Sequence, residues 1–369
     1  MNNKKMKVCH ILNELLPSGA ETMLVNSASK WKNCELHVLA TAANIGVYAP
    51  EFKRAGYTVH HINENGFIKQ HKAVCAFLKN LEPDVLHVHR ESQDFYYELD
   101  AKLAVRGIRI VRTVHNVFLF SGILRFRRIM TRAFGRLIGT KYIAIGDSVF
   151  QNEKNRFLNT PYRLVNNWCD ESIFGYVSEG MKEQEKNKKG LVDKMILVSV
   201  GNCSKVKNHM LLLKGINEMV SAGTINIHYY HLGQGESERE EKEYVKNNNL
   251  SDYVSFVGRT NPAPYLKLAD LFVMPSLFEG VSISALEAMM CGVNCLLADV
   301  VGLQDFKSIG AKAIHYTGLS QDEFTQCLCE LYKVWGERRL KNNFELSNAV
   351  RERYSMKKSV ASYLEVYSN

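Results

Sequence analysis

Residues 271–302 read LFVMPSLFEGVSISALEAMMCGVNCLLADVVG and leave little choice of architecture. Leu271–Met274 is an unbroken apolar run of the kind a strand needs when both faces are buried, and Pro275 stops it. A turn-rich loop follows to Gly280. Ser282 stands where it can cap a helix over Ile283–Cys291, and Gly292 where a helix end takes a residue with positive φ. A second apolar run, Val293–Ala298, completes strand, loop, helix and strand. In such a βαβ unit the loop lies at the carboxyl end of a strand, where open α/β sheets bind ligands.

Two carboxylates bracket this loop. Glu279 precedes the helix and Glu287 lies in its second turn. Gly280 lets the backbone come close to a ligand, and the free amides at Val281 and Ser282, with the helix dipole, suit an anion such as a diphosphate. Acids beside an anion site are then suited to neutral partners, and sugar hydroxyls fit. The bland alternatives are a loop carboxylate and an exposed helix residue. Glu287 resists the second, since Ile283, Ala285, Leu286, Ala288, Met289 and Met290 make the helix apolar and an unpaired buried charge is costly.

The pattern Glu-x7-Glu, with Gly after the first acid, Glu-Ala-Met at the second and then Cys-Gly, resembles the signature of the family-4 retaining glycosyltransferases. The resemblance implies an α/β protein of the GT-B fold, two Rossmann-like domains whose parallel sheets face a central cleft. It also implies that Glu279 meets the donor sugar, that Gly280, Val281 and Ser282 hold its phosphates, and that Glu287 binds the ribose.

At 369 residues the chain is long enough for two domains with full cores. Hydrophobic content of 46 % and charge of 23 % are those of a soluble globular protein. The apolar run near the N-terminus is cut short at Asn13 and Glu14, so no secretory signal is expected. Nine scattered cysteines, with no Cys-x-x-Cys pair, read as reduced thiols in the cytoplasm. The net charge of +9 is uneven: residues 1–165 hold 24 Lys and Arg against 13 Asp and Glu, whereas the remainder has 23 against 25. A basic first half suits nucleic acid, anionic lipid or an anionic substrate.

Met6–Leu12 reads as the first strand, and Pro17-Ser18-Gly19-Ala20-Glu21 as its loop. This resembles the family's Gly-Gly loop between donor and acceptor, and only Gly19 carries over, because Ser18 replaces the first glycine. Pro83–His89 and Arg109–His115 are further strands. His87 reads as a satisfied core residue, and His87 with His89 lacks a cluster to complete a metal site. His115 matches the family's strand-end histidine near the donor sugar. No Asp-x-Asp occurs, so no metal is expected. Gly122–Tyr142 reads as an amphipathic helix, with Ile123, Phe126, Met130, Phe134 and Leu137 at helical spacing among five arginines. It is either a sheet-covering helix with a solvated basic face or a contact with an anionic membrane through 118–142, Phe118–Phe120 forming an apolar edge.

Glu179–Lys189 is charged and without periodicity, and reads as the interdomain linker. After the strand Lys194–Gly201, the family has an Arg and then a Lys that neutralise the diphosphate. Here Asn202 takes the place of the Arg, Lys207 matches the Lys, and Lys205 is a substitute cation. Gly233 and Gly235 mark a strand-to-helix turn, and Arg259 is a wall of the nucleobase pocket by resemblance.

The domains expected are 1–175 for the acceptor, 176–355 for the nucleotide-sugar donor, and 356–369 as a helix crossing back. The function implied is a metal-independent, retaining, hexosyltransferase-type glycosyltransferase with no cofactor. It would take a nucleotide-diphosphate sugar, with UDP favoured, and act on a glycan or polyprenyl-diphosphate-linked acceptor in capsule, exopolysaccharide or O-antigen synthesis. The expected place is the cytoplasm or the inner membrane face, with no nucleic-acid partner. The alternatives are a GT-B-type sugar-nucleotide epimerase and a non-catalytic polyanion- or nucleic-acid-binding Rossmann protein.

Overall fold

The computed structural model describes residues 5–91 and 93–369. It divides into two compact units, one running to Trp168 and including Met356–Asn369, the other spanning Cys169–Ser355. The division falls before the 175/176 boundary drawn from the sequence.

Among the described residues the first unit holds seven strands: β1 (Met6–Leu12), β2 (Cys34–Ala40), β3 (Thr58–His61), β4 (Val85–Val88), β5 (Arg109–Val114), β6 (Lys141–Ala144) and β7 (Arg163–Leu164). All pair in parallel in the order β3-β2-β1-β4-β5-β6-β7. Their inward residues pack with Val74, Leu78, Tyr97 and Ala101 of the covering helices. The helix Met356–Ser368 docks on this sheet. Its Tyr363 hydroxyl lies 2.9 Å from Thr113 Oγ1, and the Tyr367 ring stacks on Trp31 at 5.6 Å.

The second unit holds β8 (Met195–Val200), β9 (Ile227–Leu232), β10 (Val254–Phe256), β11 (Leu271–Met274), β12 (Asn294–Ala298) and β13 (Ile314–Thr317). They too are parallel, in the order β10-β9-β8-β11-β12-β13. Each unit therefore has the doubly wound order, which reverses direction between β1 and β4 in one sheet and between β8 and β11 in the other. Strand-end loops diverge at that reversal and leave room for a ligand.

Two expectations need correction. Glu179–Lys189 is no linker but a helix, capped by the Ser178 hydroxyl, which accepts from the Met181 amide. Its fourth and eighth residues, Lys182 and Lys186, face inward together and both pair with Asp270 at the foot of β11, Lys182 at 3.3 Å. Asp270 also accepts the Ile196 amide at 2.8 Å. The segment lacks hydrophobic periodicity because its buried face is made of lysine stems and a shared counter-charge.

The second correction concerns Gly122–Leu137, a helix that stops short of Tyr142 and is turned around. Arg132 is only 1 % exposed and donates to Glu153 at 2.9 Å and Asp94 at 3.0 Å, while Arg128 reaches Asp94 at 3.1 Å. The apolar stripe points outward, with Ile123 at 83 %, Phe126 at 63 % and Leu137 at 81 % exposure. The side that packs inward is the arginine side, where Arg132 and Gly135 lie against Tyr142 of β6, and part of the basic face is spent on internal acids.

Candidate active site

The reversal point of the second sheet is built by two loops, the one after β8 (201–208) and the one after β11 (275–282). Backbone and side chains lace them together. The Leu277 amide donates to the Val206 carbonyl at 2.8 Å, and Asn208 Nδ2 donates to the Pro275 carbonyl at 3.2 Å. Lys207 Nζ lies 2.6 Å from Glu279 Oε1. The two residues singled out for diphosphate and sugar are thus direct neighbours, both largely buried.

The helix Ile283–Met290 starts where the sequence places it. Ser282 Oγ accepts the Ala285 amide at 3.3 Å, and Gly292 ends the turn with φ of 80°. Gly280, Val281 and Ser282 are buried at its N-terminus. Glu287, one turn in, is also buried, and desolvation pushes its carboxyl up to about 8. Among the described residues it has no ion-pair partner, so its natural complement is an uncharged hydrogen-bond donor.

Gly233 and Gly235 act on a neighbouring loop. A Cβ on Gly233 would stand 1.7 Å from the Gly201 carbonyl oxygen, and one on Gly235 2.2 Å from that of Cys203. Their absence of side chains lets the turn after β9 lie against the turn after β8. Asn202 and Lys205 are exposed in the β8 loop, and Arg259 is exposed after β10, the edge strand.

His115 and Gly19 belong to the first unit. Gly19 opens the helix Gly19–Ser27 after β1, and Ser18 Oγ hydrogen-bonds the Glu21 carboxylate. His115 ends a row of imidazoles across the reversal point of the first sheet. His10 Nδ1 lies 3.0 Å from His89 Nε2, and His89 Nδ1 3.0 Å from His115 Nε2. Burial, with Arg112 nearby, brings His115 down to about 4, so the ring is neutral at physiological pH. His87 is a satisfied core residue, bound to Tyr367 and Thr113. His10 went unnoticed in the sequence; the pairing of β1 with β4 is what puts it beside His89.

Two parallel doubly wound sheets, each with polar side chains at its reversal point, define an α/β protein of the Rossmann type. The comparisons refine this class. Residues 181–339 match the family model described as glycosyl transferases group 1. EpsF of Bacillus subtilis (strain 168) is 26 % identical over 100 % of this chain and 98 % of its own. An Escherichia coli UDP-Gal:alpha-D-GlcNAc-diphosphoundecaprenol alpha-1,3-galactosyltransferase is 22 % identical over 81 % of each chain. The structure of Anabaena HepE in complex with UDP superposes with a TM-score of 0.80 at 14 % identity, covering 98 % of this chain and 100 % of that one. The chain is a glycosyltransferase of the GT-B fold, and its second unit carries a glycosyl transferases group 1 domain.

Proposed function

We propose that the chain is a retaining, metal-independent glycosyltransferase that moves a sugar from a UDP-sugar to a glycan or polyprenyl-diphosphate-linked acceptor in surface-polysaccharide assembly. The observation that carries this reading is the Lys207–Glu279 contact across the two loops of the reversal point. A donor diphosphate arriving there meets the ammonium of Lys207 and the amides of 280–282 at a helix N-terminus. These fixed charges stabilise the leaving phosphate as negative charge accumulates on it, the task a divalent cation performs elsewhere.

Lys207 exchanges its carboxylate partner for phosphate, and Glu279 is freed to accept from a sugar hydroxyl. Glu287 accepts from the ribose hydroxyls. The neutral His115 ring is proposed as a hydrogen-bond partner of the sugar. Attack by the acceptor hydroxyl from the face the phosphate leaves retains the anomeric configuration, and the leaving phosphate takes the acceptor's proton. Asn202 cannot supply the bidentate contact of an arginine, so Lys205 is the proposed second cation. The UDP preference rests on a curated relative and a structural neighbour whose names carry UDP.

The outward apolar stripe of Gly122–Leu137 supports a second element of this reading, a place on an anionic membrane surface at the cytoplasmic face. Among the described residues no helix is long and apolar enough to cross a membrane, and a carrier-lipid acceptor would be met at the bilayer surface.

A screen of UDP- and GDP-sugars for hydrolysis and transfer, with and without EDTA, tests the reaction. The expected outcome is turnover of one UDP-sugar that persists in EDTA and yields the donor's anomeric configuration by NMR. An inverted product, or activity lost to EDTA and restored by magnesium or manganese, overturns it.

A further inference from the structure

Behind the donor loops lies a second cluster that the transfer reaction does not use. We propose that Cys203, His231 and Glu241 bind one zinc-class divalent cation that fastens three segments of the second unit together. The inference stands independently of the reaction class.

The three residues come from the loop after β8, from β9 and from the helix Glu238–Asn247. Each is buried, and their donor atoms all lie within 4.8 Å of one another. Cys203 Sγ lies 3.0 Å from His231 Nε2. In a tetrahedral zinc site with bonds of ~2.0–2.3 Å, ligand atoms stand roughly 3.3–3.8 Å apart. The set therefore closes on an ion through side-chain movements of about 1 Å or less. Thiolate, imidazole and carboxylate together suit zinc rather than magnesium or calcium.

A separate observation points the same way. Glu241 is 2 % exposed, and its Oε2 is buried without a hydrogen-bond partner. A buried carboxylate oxygen left unsatisfied is costly, and coordination to a cation removes that cost. The outer partners are those of a ligand set held in orientation. Tyr229 hydroxyl lies 2.9 Å from His231 Nδ1, leaving Nε2 toward Cys203, and His209 Nδ1 lies 3.3 Å from Glu241 Oε1.

A cysteine ligand binds as the thiolate. Binding forms the metal–sulfur bond, breaks the S–H bond and releases that proton to solvent. The gain is local order: the Cys203 carbonyl accepts the Ser237 amide at 3.1 Å, so the ion braces the turn on which Gly233 and Gly235 sit.

The test uses the full chain without an affinity tag, freed of metal by chelation and titrated with cobalt(II). The expected result is one equivalent bound with a thiolate-to-cobalt charge-transfer band, and a rise in Tm with zinc. Cys203→Ser removes the band, and Glu241→Gln weakens cobalt binding at least tenfold. A folded wild-type chain that shows no such band overturns the proposal whatever the variants do. So does a Cys203→Ser protein that keeps the band, since another of the nine cysteines would then hold the metal.

Discussion

Lys207 Nζ stands 2.6 Å from Glu279 Oε1, and this contact joins the loop after β8 to the loop after β11 at the point where the second sheet reverses direction. Residues 72 positions apart in sequence thus share one charge pair. In the proposed reaction phosphate and carboxylate compete for one ammonium group there, which would make the pair a switchable contact.

Lys207→Ala is expected to lower turnover by about 10²–10³-fold, the range found when one preorganised electrostatic group is removed from a developing anion. Removing one partner of this largely buried pair costs more than losing a surface pair, so Tm should fall by several degrees while the chain stays folded. Activity and a thermal melt on the same preparation decide the matter. Near-normal turnover would remove Lys207 from the reaction.

How much of this was legible in the sequence depends on where each signal resides. The unit around β11 and β12 was readable because Pro275, Ser282 and Gly292 punctuate it locally, and each performs the expected task. The helix Glu179–Lys189 was not, because what makes it fold inward is Asp270, some 80 residues on, and a charge-rich stretch shows no period without that partner. The helix Gly122–Leu137 was recognised, but its facing was not. Amphipathic spacing fixes a stripe and says nothing of whether Asp94 and Glu153 will claim the arginine side. The Cys203, His231 and Glu241 cluster comes from three separate elements and carries no spacing rule at all.

Glu287 gives a prediction about pH. Its carboxyl titrates at about 8 in the fold against 4.5 as its ordinary value, so between those pH values the folded chain holds a proton that the unfolded chain has lost. Stability from this group is therefore full below pH 4.5, declines as pH rises, and is gone above 8. Glu287→Gln should remove that slope and make the protein more stable than wild type at pH 8 and above, by up to a few kcal/mol. Urea midpoints of both proteins across pH 5–9 measure it, and parallel curves would show that Glu287 is not buried in its neutral form. Glu287→Ala, unlike the isosteric Gln, should weaken nucleotide binding, because it removes the group proposed to accept from the ribose hydroxyls.

Asp270 is buried, accepts the Ile196 amide and faces two lysines. Asp270→Ala leaves two buried ammonium groups without a counter-charge, and breaking such a network typically costs ~3–5 kcal/mol. Lys188→Ala on the same helix removes only an exposed pair with Glu185 and should shift stability by no more than ~0.5 kcal/mol. Urea denaturation separates the two. Equal, small effects would return Glu179–Lys189 to the status of a linker.

Ile123 and Phe126 lie on the outward stripe of Gly122–Leu137, and nothing in the fold requires them to be apolar there. Replacing both with serine should leave Tm unchanged or slightly raised, because surface positions away from packing contribute within ~0.5 kcal/mol. Transfer of such side chains into a bilayer interface is favourable by roughly 1 kcal/mol or more each, so the double variant should lose at least tenfold in partition onto vesicles. Arg125, Arg127 and Arg136 add attraction to anionic headgroups from the same helix. Wild-type cosedimentation should therefore need anionic lipid and weaken with salt, as screening over about 10 Å at 0.1 M ionic strength demands. Arg128 and Arg132 should not matter directly, since Asp94 and Glu153 already engage them. If the double serine variant cosediments as well as wild type, this stripe is not the surface that meets the membrane.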